Sequence, residues 1–307
     1  MNFLDLPSCN PAEADALILP VPMELTVSYG GGTAGGPEAV LDASRQIETF
    51  DEQTGVDFER DLRIATLPAF QGPDDPAAYI ERLAEHVRGA VSGQGTTGGL
   101  PSSAGPHPSP LTEGERTGLL VAIGGEHLLT LGTVGGLCDD LSRLTIVQLD
   151  AHADLADRLD GRRLSHGTVM RRLWEQGARL VQIGVRSLSR AEFELSRDDP
   201  RIATFFGHDL DQRWPDMLAL LAGLAGDVYL SIDVDSLDPS VIPSTGTPQP
   251  GGLSWSQTMA VLAALARADC ARLIGADIVE FVPSPHPPGC DLTAAKLVAK
   301  LLALLAP

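Results

Sequence analysis

Six apolar runs restrict the fold of this chain more than any other feature. They are residues 16–21 (ALILPV), 118–123 (GLLVAI), 144–149 (LTIVQL), 180–185 (LVQIGV), 228–234 (VYLSIDV) and 274–281 (IGADIVEF). Each has the length and the β-branched content of a buried strand. Between them lie segments of helical period: residues 79–92, a stretch from about 128, then 168–176, 215–225, 254–267 and 292–305. Ser254 and Gln257 have the spacing of a capping box, and Pro37 suits the first turn of a further helix. Lys296 and Lys300 fall one turn apart on the polar side of the last helix. Strands that alternate with helices in this way predict an α/β fold, one parallel sheet covered on both faces.

The 307 residues allow one large domain or two ordinary ones, and no linker separates two. The reading is therefore a single domain over 1–307 with a low-complexity surface loop at about 93–116, which includes His107. No apolar run approaches the roughly 18 residues that span a bilayer. The first residues, MNFLDLPSCNPAEADA, have neither the basic nor the apolar region of a secretory signal. A net charge of −19 argues against nucleic acid as a partner. It suits a cationic substrate or metal ions, as well as mere solubility. Cys9, Cys138, Cys270 and Cys290 are scattered with no C-x-x-C pair, as in a reduced cytoplasmic protein. His86 reads as a helix-surface residue and His208 as structural. The glycine-rich bend GGGTAGGPEAV matches neither phosphate-loop pattern, so its glycines read as conformational.

Charge is concentrated where the apolar runs end. The run at 144–149 leads directly into Asp150, His152 and Asp154 at alternate positions, which share one face of an extended chain. His127 follows the run at 118–123, and Asp233 and Asp235 close the run at 228–234. An Asp-x-Asp pair alone is as well explained by a turn or a cap. Three charge-bearing side chains on one strand face rarely serve packing. Four carboxylates and two imidazoles without a thiolate suit Mn²⁺ or Mg²⁺ better than structural zinc. Six ligands are more than one ion needs, and two ions bridged by a carboxylate would use all of them.

The segments GGEH, DAHAD, SHG and SIDVDSLDP resemble those of the ureohydrolases, the family of arginases, agmatinases and related guanidino-acid hydrolases. The resemblance runs from VSYGGGTAGGPEAV to DLTAAKLVAKLL and omits only residues 93–116. It implies a three-layer α/β/α domain around a mostly parallel sheet of about eight strands, with two Mn²⁺ per subunit. One ion would be held by His127, Asp150, Asp154 and Asp233, the other by His152, Asp150, Asp233 and Asp235, with Asp150 and Asp233 as bridges. The resemblance further implies that Glu280 binds the guanidinium, that His166 shuttles protons or orients substrate, and that Asp154 carries a proton to the departing amine. The products would be urea and an amine, and the assembly a homotrimer or homohexamer.

The tail of the substrate is less legible. Arginases place a polar amide where this chain has Ala156, and acidic residues where it has Ser187, Leu188 and Ser189. IGVRS, SHGTVMRR and PMELTVSYGGGTAGGPEA are more similar to the agmatinase branch. Agmatine, a small cationic guanidino compound, is the expected substrate, giving putrescine and urea. N1-aminopropylagmatine and guanidinobutyrate are the alternatives, and arginine is less favoured. Residues 155–164 should border the tail, with Asp157 as a contact, while Arg162 and Arg163 either meet a carboxylated tail or lie exposed. Glu280 is followed by Phe281, Val282 and Pro283, where many relatives carry an asparagine before the proline. Two rivals are a zinc deacetylase of similar fold, whose adjacent histidine pair this chain lacks, and a non-catalytic metal-binding homologue.

Overall fold

In the computed structural model, which describes residues 1–92, 118–268, 270–284 and 289–306, every one of the six apolar runs is a strand. The loop expected at 93–116 lies outside the described residues. In chain order the elements are β1 (Ala16–Val21), α1 (Gly36–Ser44), β2 (Ile64–Thr66), α2 (Pro76–Val91), β3 (Leu119–Gly124), α3 (Thr130–Leu137), β4 (Leu144–Leu149) and α4 (Val169–Glu175). They continue as β5 (Arg179–Val185), α5 (Arg190–Asp198), β6 (Ile202–Phe206), α6 (Leu210–Ala222), β7 (Ala225–Asp233), α7 (Trp255–Leu265), β8 (Cys270–Val279) and α8 (Gly289–Leu305). The eight strands form one sheet in the order β2-β1-β3-β8-β7-β4-β5-β6, and every pair is parallel.

β1, β3 and β4 are buried along their whole length, as strands covered on both faces must be. The two coverings form separate apolar cores. One gathers side chains from α1, α6, α7 and α8, the other from α2, α3 and α4. The molecule is thus a three-layer α/β/α domain.

The structure adds two strands and a helix to those read from the sequence. β2 and β6 are the short edge strands of the sheet, and β6 is only partly buried, so neither presents a continuous apolar run. The added helix is α5, opened by a capping box of Ser189 and Glu192. α6 begins at Leu210, so that Pro215 lies inside it rather than at its start. The capping box of Ser254 and Gln257 opens α7.

Two expectations about single side chains are corrected. Lys300 is buried, because Asp51 and Glu52 reach across α8 and accept from its Nζ at 2.7 and 3.0 Å. His86 is half-buried, with its ring 5.2 Å from that of Phe70.

Neighbouring strands β3, β8, β7 and β4 occupy the centre of the sheet, and the chain runs from β3 to β4 across the two strands added last. Parallel sheets place their ligand sites outside the carboxyl ends of strands where connections diverge in this way.

Candidate metal centre

Each of the four central strands delivers acidic or imidazole groups from its carboxyl end. His127 follows β3, Glu280 follows β8, Asp233 ends β7 with Asp235 just beyond, and Asp150, His152 and Asp154 follow β4. Two triads within ligand distance result, His127–Asp150–Asp233 and Asp150–His152–Asp235, with Asp150 common to both. Nδ1 of His127 lies 3.2 Å from Asp150 Oδ2, 3.0 Å from Asp154 Oδ2 and 3.6 Å from Asp233 Oδ2. Nδ1 of His152 lies 2.9 Å from Asp235 Oδ2 and 3.6 Å from Asp150 Oδ1. All six residues singled out by spacing are therefore gathered at one place.

Their hydrogen bonds fix which lone pairs face inward. Ser231 Oγ gives its single proton to Asp277 Oδ1 at 2.6 Å, so it accepts from His127 Nε2, 2.8 Å away. Asp277 also accepts from Tyr229 and Thr130, which holds it in place. Nδ1 of His127 is a buried atom without a hydrogen-bond partner, and with Nε2 donating to Ser231 it is the nitrogen whose lone pair is free for a cation once its proton is displaced. Asp233 Oδ1 accepts from the Asp235 amide and Asp235 Oδ1 from the Ala151 amide, leaving their Oδ2 atoms turned to the histidines.

The electrostatics describe a centre short of positive charge. Burial and Asp150 push the Asp154 carboxyl up to about 7. Burial, Asp235 and Asp150 raise Asp233 well above the carboxylate range. Burial lowers the histidines, but their carboxylate partners outweigh it and raise His152 to about 11 and His127 well above its ordinary value. Such a cluster retains protons at neutral pH, and divalent cations would displace them. The unpartnered imidazole nitrogen, the shared carboxylate and the oxygen-rich donor set fit a binuclear metal centre.

Glu280 and His166 border this centre where it opens to solvent. Glu280 Oε1 accepts from the His127 amide at 2.7 Å, and its own amide donates to Gly125 O. Burial pushes its carboxyl up to about 8. Glu280 and Asp154 are two of the few non-glycine residues with positive φ, at 63° and 51°. Residues held in that region cluster at functional sites. His166 Nδ1 lies 3.2 Å from Ser165 Oγ and Nε2 lies 3.4 Å from Ser28 Oγ, and burial lowers its pKa.

Three acidic residues not singled out as site residues from the sequence build this rim. Fully buried Glu126 accepts from the amides of Leu25 and Thr26 and from Thr26 Oγ1, which in turn accepts from the His166 amide. Glu24 accepts from the amides of Gly32 and Ala34, so the glycine-rich bend wraps a carboxylate of its own chain. Gly36 has no room for a side chain, since a Cβ would come within 2.6 Å of Phe281 O. Glu192 accepts from the Leu155 amide and anchors the backbone just after Asp154. Its only sequence signal was the capping-box spacing from Ser189.

Asp157 is not brought to the centre. Its carboxylate is engaged by Arg172 at 3.2 Å and Arg163 at 3.5 Å, which makes it a brace of the loop rather than a vacant contact for substrate. Arg162 is exposed and donates to Leu25 O. His208 is also exposed, its ring stacked on that of Phe206.

The chain has relatives among known proteins. Residues 14–304 match the arginase family, and the chain belongs to it. It is 32% identical over 295 residues to an N(1)-aminopropylagmatine ureohydrolase of Synechocystis sp., covering 95% of this chain and 89% of that one. It is 28% identical to an agmatinase of Pyrococcus horikoshii, covering 99% of this chain and 96% of the relative. The fold matches the crystal structure of agmatine ureohydrolase of Thermoplasma volcanium with a TM-score of 0.80 at 24% identity, over 98% of this chain and 93% of that one.

Proposed function

We propose that this chain hydrolyses the guanidino group of agmatine or of its aminopropyl derivative, releasing urea and an amine. The carrying observation is the pair of triads joined through Asp150, with Glu280 hydrogen-bonded to the amide of one ligand, His127. The family assignment supports the reaction class, and the printed names of the two relatives support the substrate class. Manganese is the proposed ion, because the donors are carboxylates and imidazoles with no thiolate.

His127, Asp150, Asp154 and Asp233 would hold one ion, and His152, Asp150, Asp233 and Asp235 the other. Once bound, the ions supply an activated water near neutral pH and positive charge to offset the negative charge of the transition state. The chain's own groups do the rest. Glu280 presents a carboxylate to the planar guanidinium, a pairing that favours its ionised form and fixes the central carbon. Asp154, beside His127, would pass a proton to the departing nitrogen. His166, half-buried and with its pKa lowered by burial, would exchange protons with solvent.

A panel of agmatine, aminopropylagmatine, guanidinobutyrate and arginine, assayed for kcat/KM with Mn²⁺, tests the substrate class. A preference of about 100-fold or more for the two cationic-tailed compounds is expected, which corresponds to roughly 2.7 kcal/mol. Equal or better turnover of arginine or guanidinobutyrate contradicts it.

A further inference from the structure

Directly beneath the ligands, the sheet carries a row of polar side chains where its layers are otherwise apolar. Thr204 on β6 pairs with Gln182 on β5, which pairs with Gln148 on β4, which pairs with Ser231 on β7, which pairs with Asp277 on β8. Side chains at one level of a parallel sheet share a face, and residues two apart along a strand share it too. Gln148 and Ser231 therefore lie just below Asp150 and Asp233. Gln148, Gln182, Ser231 and Asp277 are completely buried.

One arm of this row is a chain of hydrogen bonds with a single direction. Thr204 Oγ1 donates to Gln182 Oε1 at 3.1 Å. Gln182 Nε2 donates to Gln148 Oε1 at 2.6 Å and to Ala153 O at 2.7 Å. Gln148 Nε2 donates to Asp150 Oδ2 at 2.7 Å and to His152 O at 3.4 Å. The backbone carbonyls of Ala153 and His152 set the sense of both amides. A flipped Gln148 would face its oxygen to a carboxylate and a carbonyl, and its NH₂ to the NH₂ of Gln182. Each such mismatch leaves buried groups unpaired at about 1–3 kcal/mol.

The consequence falls on Asp150. Its Oδ2 receives Gln148 and faces His127, while its Oδ1 receives the His152 amide at 2.7 Å and faces the His152 ring. Each oxygen thus has one protein donor and one lone pair left over, one for each triad. We propose that Gln148, locked by Gln182 and Thr204, is a positioning residue that holds the Asp150 carboxylate across both metal positions. Without it only the His152 amide holds the carboxylate, which can then turn about that one bond and offer both oxygens to one position. This inference rests on the two-ion reading of the centre.

The test is titration of metal-free protein with Mn²⁺ by calorimetry, with low-temperature electron paramagnetic resonance of the loaded protein as the structural readout. Wild-type protein binding two ions per chain with an exchange-coupled spectrum supports the two-ion reading, and one ion per chain overturns that reading and this inference together. With wild type at two ions, Gln148→Leu should weaken at least one ion by about 10–100-fold and change the coupling. Thr204→Val, on the edge strand and touching no ligand, should weaken the same ion by several-fold and keeps the test available if Gln148→Leu does not fold. Affinities within threefold of wild type and an unchanged spectrum in both variants, or in Thr204→Val if only it folds, overturn the role of Gln148.

Discussion

Glu280 holds the His127 amide and, in the proposed reaction, presents a carboxylate to the guanidinium. Replacing it with glutamine preserves an acceptor for that amide and removes only the charge. Losing one partner of a desolvated ion pair costs about 2–5 kcal/mol. Glu280→Gln should therefore lower kcat/KM on agmatine by on the order of 100-fold or more, with the melting temperature little changed. Steady-state kinetics within threefold of wild type would contradict guanidinium binding by this residue. Glu126 works at one remove. An amide there turns a donor toward either the Leu25 amide or the Thr26 amide, so Glu126→Gln should cost about 1–3 kcal/mol in urea unfolding. It should also lower kcat through the His166 turn, and unchanged unfolding would show that the three bonds carry no weight. The ligands were legible because alternate positions on one strand share a face, which is a local rule. Glu126 was not legible, because its partner Thr26 lies 100 residues away and the bond exists only once β1 and β3 are side by side.

Among the elements, the interior strands announced themselves. β1, β3 and β4 are buried on both faces; β1 and β3 are apolar without interruption, and β4 is broken only by Thr145 and Gln148. The edges did not, since Ile64–Thr66 spans only three residues and β6 leaves Ala203 and Phe206 partly exposed. Lys300 misleads for a related reason. Helical period places it on a polar stripe, but Asp51 comes from a distant loop to meet it. Burial pushes Asp51 up, yet Lys300 and Thr54 outweigh it and hold the carboxyl below its ordinary 3.8. Burial likewise lowers Lys300, and Asp51 and Glu52 outweigh it to raise the amine above 10.5. The stability from the depressed acid is present above 3.8 and is lost as pH falls through its folded value. That from the raised base is present below 10.5 and is lost as pH rises through its folded value. Lys300→Met strands a buried carboxylate and should cost about 3 kcal/mol near pH 7. The difference from wild type should be flat between about pH 5 and 9 and shrink in acid below that. Unfolding curves that show no loss at pH 7 would contradict the pairing.

The whole molecule is a sheet whose central four strands converge acidic side chains that the protein alone cannot neutralise. Cations that bind the folded but not the unfolded chain must then stabilise it. At a free concentration 1,000 times the dissociation constant, each ion adds about 4 kcal/mol. Mn²⁺ should raise the melting temperature of chelator-treated protein by on the order of 10 °C. An unmoved transition would mean that the cluster does not take up the ion. Among the described residues, no helix is long and apolar enough to cross a membrane, and nothing in the site calls for one. The most direct measurement is the yield of urea and of amine from agmatine and aminopropylagmatine, with Mn²⁺-loaded and chelator-treated protein compared side by side. Equal amounts of urea and amine from the loaded protein, and neither from the chelated one, are what a binuclear guanidine hydrolase must give. No urea from the loaded protein with either compound contradicts it.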